Sequence, residues 1–189
     1  MMAILQSLRL FLMFTLVTGV IYPVGITFLA RLLFPHEATG SIIERGNQPV
    51  GSVLLAQKFD SPRYFQPRPS ASAFGTMPSG PSNLGPTSRT LKEAVQERMT
   101  SLRTINAPAS DTPIPPDLVF ASGSGLDPHI SPEAMLFQMD RVTKARGFTA
   151  GQRIRFETIA TGMIEDPQFW FLGESRVNVL LLNLVLDAL

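Results

Sequence analysis

Residues 10–30 read LFLMFTLVTGVIYPVGITFLA, a run of 21 positions without a charged side chain. Wound as a helix at about 1.5 Å per residue, the run spans roughly 30 Å, the thickness of a bilayer's hydrocarbon core. Arg9 and Arg31 bracket it, and each has a stem long enough to carry its charge to the headgroups. A signal peptide has a shorter apolar region and a small-x-small cleavage site, whereas the bulky RLLFPHEA of residues 31–38 follows here. The chain has no cysteine, which excludes a lipoprotein anchor. The stretch therefore predicts an uncleaved membrane helix over residues 10–31, inside an N-terminal segment 1–34. Residues 35–189 remain for a single soluble domain, since 189 residues are too few for two comfortable ones.

Pro23 sits mid-span and leaves a backbone carbonyl near Gly19 without its donor. Such a kink is tolerated in lipid when a neighbouring helix or a threonine hydroxyl satisfies the freed group. Pro23, with Gly19, Gly25, Thr15, Thr18 and Thr27, accordingly points to a partner helix. Arg9 and the amino terminus stand against Arg31 and Arg45, so charge leaves the sidedness of the domain open. A net charge of +1 without a basic run argues against a nucleic-acid partner.

Beyond the anchor, PVGSVLLAQKF at 49–59 reads as a strand around Val53, Leu54 and Leu55. Residues 66–89 hold five prolines, five serines and three glycines, too many breakers for a helix or a ladder. They also carry Phe74, Met77 and Leu84, with Tyr64 and Phe65 just before. This combination predicts an ordered, extended loop that docks on its own domain or on a partner. TLKE at Thr90 has the form of a capping box, and Leu91, Val95, Arg98, Met99 and Leu102 follow at helical spacing. A second proline-rich connector, NAPASDTPIPP, then leads to DLVFAS, a short β-like run.

ASGSGLDPHISPEA, residues 121–134, admits three readings. A P-loop is absent because the chain has no Gly-Lys pair, and the dinucleotide fingerprint fails because Pro128 stands where a third glycine is needed. A Gly-Ser-Gly turn can still form an anion-binding nest. Ser124, Asp127 and His129 are the residue types of a hydrolase triad, but triad members converge from separate elements and no Gly-x-Ser-x-Gly elbow is present. His36 and His129 are the only histidines, so no metal cluster is expected. The third reading explains more of the letters. Ser131 caps a helix, Pro132 opens it, and Glu133 complements its dipole. Met135, Leu136, Met139 and Val142 give it an apolar face, and Gly147 closes it after Lys144 and Arg146. TAGQRIRFETIA predicts a further helix with Ile154 and Ile159 inward. The apolar tail from Val177 to Leu189, interrupted by Asn178 and Asn183, is 13 residues long. That is too short to span a membrane, so it is a core strand, a core helix, or one followed by the other.

YFQPRPSAS, SGPSNLGP, DLVFASGSGLDPHIS, FQMDRVTKARG and GESRVNVLLLNLVLD occur in this order behind a single N-terminal span. Together they resemble the KdpC family, a subunit of the bacterial Kdp potassium-transporting ATPase. Pro81 and Phe120 depart from that pattern. The resemblance implies a single-pass protein of the bacterial inner membrane. Its partners are a channel-like potassium-translocating subunit, a P-type ATPase subunit and a small accessory helix. The chain lacks both the Asp-Lys-Thr-Gly motif of the pump subunit and a carbonyl filter sequence. No catalytic residue is therefore expected, no cofactor is expected to bind to this chain alone, and ATP and potassium fall to the complex.

Two family roles compete. In one, the subunit raises the ATP affinity of the pump, with Gln138 meeting the nucleotide beside Ser122, Gly123, Ser124 and Gly125. In the other, the domain lies on the outer face and holds the assembly together, with Pro23, Phe74, Asn83, Leu84, Asp127 and His129 as docking candidates. As the bland alternative, Gln138 is a solvated or capping side chain. The expected fold class is α+β, with one N-terminal transmembrane helix followed by a single small soluble α+β domain.

Overall fold

The apolar run that opens the chain is helical from end to end. In the computed structural model, which describes residues 2–107 and 112–189, α1 (Met2–Leu16), a π turn (Val17–Ile21) and α2 (Tyr22–Leu33) join into one helix, Met2–Leu33. It is long and apolar enough to cross a membrane, and no residue on it is buried. The wide turn lies just before Pro23, whose missing N–H would have bonded Gly19, and there the Tyr22 N–H reaches back to the Val17 carbonyl. The hydroxyls of Thr15, Thr18 and Thr27 donate to the carbonyls of Phe11, Phe14 and Pro23 at 2.8, 2.7 and 2.7 Å. Each of these hydroxyls is spent on its own helix.

The chain forms two units, one through Val50 and one from Gly51 to Leu189. The first continues past the long helix with α3 (Pro35–Ala38) and a hairpin of β1 (Ile42–Arg45) and β2 (Gln48–Ser52). Gly46 and Asn47 turn the hairpin with φ of 58° and 64°, the paired left-handed geometry that suits the twist of two-residue turns. The strand expected over 49–59 is therefore shifted. It ends at Ser52, whose hydroxyl accepts the Leu54 N–H and bends Val53–Leu55 into a turn.

The second unit is built around α5 (Pro132–Arg146). Ser131 caps it by accepting the Ala134 N–H at 3.1 Å, and Gly147 closes it at φ 70°. Seven of its 15 residues are buried, and they cover more than half of its circumference, too wide an arc for a simple apolar stripe. Leu136, assigned to the apolar face, points out instead and is exposed. Around α5 stand α4 (Arg89–Asn106), α6 (Ala150–Gly162) and α7 (Val179–Leu186). A two-rung antiparallel ladder joins β3 (His129–Ile130) to β4 (Val177–Asn178), pairing His129 with Asn178 and Ile130 with Val177. The α+β class stands, and the apolar tail is a strand followed by a helix.

Other expectations shift by local chemistry. The cap of α4 is Ser88 rather than Thr90, and the helix begins two residues earlier than the box implied. The box sits instead at α6, where Thr149 and Gln152 satisfy each other's backbone donors. Within α6, Phe156 and Ala160, four residues apart on one face, are buried, Ile159 beside them is half-buried, and Ile154 on the far side is exposed. DLVFAS is not β. Pro116–Leu118 is a 3-10 turn held to α4 by the Arg98 guanidinium, which donates to the Val119 carbonyl at 2.7 Å. Of the second proline-rich connector, residues 108–111 lie outside the described residues.

Phe65 anchors the core. It is fully buried, with its ring 5.9 Å from that of Phe156, which meets Phe148 at 6.3 Å. Leu102, Leu118, Met135, Val142, Val177 and Leu182 complete the surrounding cluster. Phe65→Ala removes a fully buried ring from the centre of this cluster. It is expected to lower the unfolding free energy by about 3–5 kcal/mol, read as an earlier denaturation midpoint of the detergent-solubilised chain.

Candidate functional site

The loops marked out by the sequence owe their order to segment 62–66, Pro-Arg-Tyr-Phe-Gln, which turns at Pro62–Tyr64 and runs on through the buried Phe65 beside α5 and α7 without joining a sheet. A backbone with no ladder must find its hydrogen bonds elsewhere. Here every carbonyl of the segment accepts from a side chain. Arg141 Nη1 donates to Pro62 and Tyr64 at 2.7 and 3.0 Å, and Arg146 Nε donates to Arg63 at 2.9 Å. Asn183 brackets Phe65, its Oδ1 accepting the N–H at 2.8 Å and its Nδ2 donating to the carbonyl at 3.0 Å. Gln138 brackets Gln66 in the same way, at 2.8 and 3.1 Å. Tyr64 is fixed further by Asp187, which its hydroxyl reaches at 3.1 Å, and by the Arg146 guanidinium 4.9 Å above its ring.

Gln138 is therefore neither solvated nor a cap. It is fully buried, and both amide atoms are doubly used, since Nε2 also donates to the Ala134 carbonyl and Oε1 also accepts from Arg141 Nη2. Arg141 is buried too and donates to carbonyl and amide oxygens, Asn106 Oδ1 among them at 2.8 Å. Burial pulls its pKa down from the ordinary guanidinium value to about 10, which still leaves it charged at neutral pH.

From this clamp the chain runs into the loop that begins at Pro67, against which the glycine-serine loop packs. The Ser122 N–H donates to the Pro69 carbonyl at 3.0 Å, and the Ala56 N–H to that of Leu126 at 2.9 Å. Gly125, at φ 72°, is walled in. A Cβ there would lie 2.8 Å from Ser72 Oγ and 3.0 Å from the Gly80 carbonyl. Only glycine satisfies both the left-handed backbone and the close approach of the 70–80 loop. The N–H groups of Ser122, Gly125 and Leu126 are spent on Pro69, Ser122 and the Ser124 hydroxyl, so the turn points few donors at an anion. Ser122 is buried, whereas Gly123 and Ser124 are exposed.

Asp127 and His129 lie together at one end of this loop. The Asp127 carboxylate accepts the His129 N–H at 3.0 Å, faces His129 Nδ1 at 3.5 Å, and pairs with Arg68 Nη1 at 3.2 Å. Burial opposes ionisation of Asp127. The hydrogen bonds from the His129 side chain and backbone, with the charge of Arg68, outweigh it and hold the carboxyl below its ordinary 3.8. Asp117 accepts the backbone N–H of Ser131 at 2.7 Å and its hydroxyl at 3.1 Å, bracing the cap of α5. These groups line a cleft of about 470 Å³ that carries Asp117, Asp127 and Glu174 against Arg68 and Arg176, a balance that does not favour a polyphosphate.

The other docking candidates are dispersed. Phe74 is half-buried at φ 62°, its N–H held by Ser70 Oγ, and it lines a separate cleft with Pro67, Pro69 and Leu118. Asn83 and Leu84 are exposed further along the same loop, and Pro23 belongs to the membrane unit. Ser124, Asp127 and His129 form no triad, because the Ser124 hydroxyl caps the Leu126 N–H while His129 faces Asp127. The sequence reading missed Asn183, Arg141 and Arg146 as the clamp. The signal was present in Asn183, an amide alone in an apolar run, which folds only if it is paired.

This is a single-pass protein whose soluble unit offers, among the described residues, ordered loops and open clefts. A family model described as "KdpC: K+-transporting ATPase, c chain" matches residues 4–188, and the chain belongs to that family. Proteins named potassium-transporting ATPase KdpC subunit are similar along nearly their whole length. That of Methylococcus capsulatus is 48% identical over 186 residues, covering 97% of this chain and 96% of the relative. That of Geobacter sulfurreducens is 48% identical over 188 residues, covering 97% and 96%, and that of Rhodopseudomonas palustris 47% over 188 residues, covering 92% and 90%. The chain is thus an accessory subunit of a potassium-transporting ATPase complex and works with the other Kdp subunits.

Two outcomes follow from the clamp and the loop. Gln138→Ala strands the Gln66 amide and one arm of Arg141 in the interior and is expected to cost about 2–4 kcal/mol in chemical denaturation, as a structural residue does. Asp127 has a folded value below its unfolded one. Its contribution is complete above the unfolded pKa of about 4 and is lost as pH falls through the lower folded value. Asp127→Asn should flatten that acid-side fall in a series of denaturation midpoints taken from about pH 6 downward.

Proposed function

We propose that this chain is the non-catalytic assembly subunit of the pump, with its soluble domain on the outer face of the membrane. In this reading it holds the channel-like subunit and the P-type ATPase subunit together and binds no cofactor of its own. ATP and potassium are handled by the other subunits.

The observation that carries the reading is the use of the Gln138 amide. To meet a nucleotide, Gln138 would have to leave four hydrogen bonds, release the Gln66 backbone and abandon Arg141. The balanced charge of the neighbouring cleft and the internal use of the loop N–H groups support the same conclusion. Under this reading the ordered loops, Phe74 to Leu84 and Ser122 to His129, serve as docking surfaces, and the helix interrupted at Pro23 packs against a partner helix.

Sidedness separates this role from that of a subunit that raises ATP affinity, because a domain outside the membrane cannot reach cytoplasmic ATP. The chain has no cysteine, and Ser124 is exposed, so Ser124→Cys introduces a single reporter. In intact cells it is expected to react with a membrane-impermeant maleimide. Labelling that requires permeabilised cells would return the loop to the cytoplasm and the nucleotide role to contention.

A further inference from the structure

Between α6 and β4 the chain makes a hairpin that contributes nothing to the core. Its outer rung pairs Glu165 with Arg176 through backbone bonds of 2.8 and 3.0 Å, and the Arg176 Nε donates to the Glu165 carboxylate at 2.9 Å. Its inner rung pairs Gln168 with Leu172 at 3.0 and 2.9 Å. The turn closed by this inner rung carries Phe169, Trp170 and Phe171, and with Leu172 on the rung itself they are 72, 91, 73 and 51% exposed. Phe169 and Trp170 have φ of 53° and 65°, a left-handed backbone that bulky residues rarely adopt. Four large apolar side chains are thus held out side by side by a braced, strained turn, with no burial inside this chain to offset the cost.

From this arrangement we infer that the 169–172 tip is a docking knob that inserts into an apolar pocket on another subunit of the complex, a pocket rimmed by lysine or arginine. The inference rests on the assembly role proposed above. The charge around the tip selects the occupant. Residues 165–176 carry Glu165, Asp166, Glu174 and Arg176, a net of −2 once Arg176 is set against one acid. Asp166 and Glu174 are exposed and flank the aromatic residues. An acidic collar repels an anionic bilayer surface, which recruits lysine and arginine, and it repels a second copy of itself. A cationic rim is the complement that remains. Aromatic side chains at the centre of such a contact carry most of its affinity, Trp first.

Trp170 is the only tryptophan of the chain, so the tip reports on itself. The full chain in nanodiscs is titrated with a purified complex of the remaining subunits. Trp170→Ala is expected to weaken assembly about 30-fold, while Trp170→Phe retains most of the affinity and neither changes the melting temperature. As a second probe that leaves the apolar tip intact, Asp166→Lys with Glu174→Lys is expected to weaken assembly and abolish its salt sensitivity. Wild-type affinity in Trp170→Ala would overturn the inference. So would a blue shift of the free chain's Trp170 emission on anionic vesicles without protein, or a dimer of the free chain that Trp170→Ala dissolves. Omitting the whole chain provides the separation. If the other subunits disperse without it but Trp170→Ala assembles normally, the knob fails and the assembly role stands. If they remain associated without it, the assembly role fails first.

Discussion

Five consecutive carbonyls, from Pro62 to Gln66, each accept a hydrogen bond from a side chain of α5 or α7, and the soluble unit depends on this arrangement. A sheet would satisfy such a segment with a neighbouring backbone, but the sheets here are a hairpin and a two-rung ladder. The helices do the work with two arginines and two amides. Because the donors stand on helices already packed around Phe65, the clamp and the core form together, and the direction in which the chain enters the 66–80 loop is fixed by both. Gly125 and the serines at 70 and 72 then lock that loop to the one before α5.

Arg141 is the costly member of the arrangement. A buried guanidinium loses its water, and its bonds here go to neutral oxygens rather than to a carboxylate. Burial alone accounts for the lowered pKa, while the planar fork meets four separate groups, Pro62, Tyr64, Asn106 and Gln138, at once. No apolar residue of the same volume could hold two loop carbonyls, a helix-end asparagine and the bracketing glutamine in one geometry. The cation fixes position, and the apolar cluster around it supplies the stability.

Much of this architecture is legible in the sequence, and the unread part has a common cause. The membrane helix, the Ser131 start and Gly147 stop of α5, and the strand-then-helix tail follow from length, capping and periodicity, which are local. The cap of α4 was misplaced because Ser88 and Thr90 are both good caps two residues apart, and only packing chooses between them. Leu136 and Ile154 were placed inward because periodicity assumes an apolar stripe, whereas α5 buries Gln138 and Arg141 instead. The candidate site was half visible: Asp127 with His129 lie close in sequence, but the partners of Gln138, Asn183 and Asp127 come from segment 65–68, up to 118 residues away. The tip at 169–172 escaped because an apolar run bears no local mark of whether it folds inward or is held out.

The span of these bonds also orders events in time. Asn183 reaches Phe65 across 118 positions, Tyr64 reaches Asp187 across 123, and Asn178 holds the Val53 carbonyl across 125. A ribosome delivers Phe65 long before it delivers α7, so α5 claims the carbonyls of Pro62, Arg63, Tyr64 and Gln66 first, while the Phe65 N–H and carbonyl wait for Asn183. Contacts of such long reach form late and slowly. The Asn183 bracket on Phe65 is thus the part of the clamp that closes last, when α7 packs against the helices already in place.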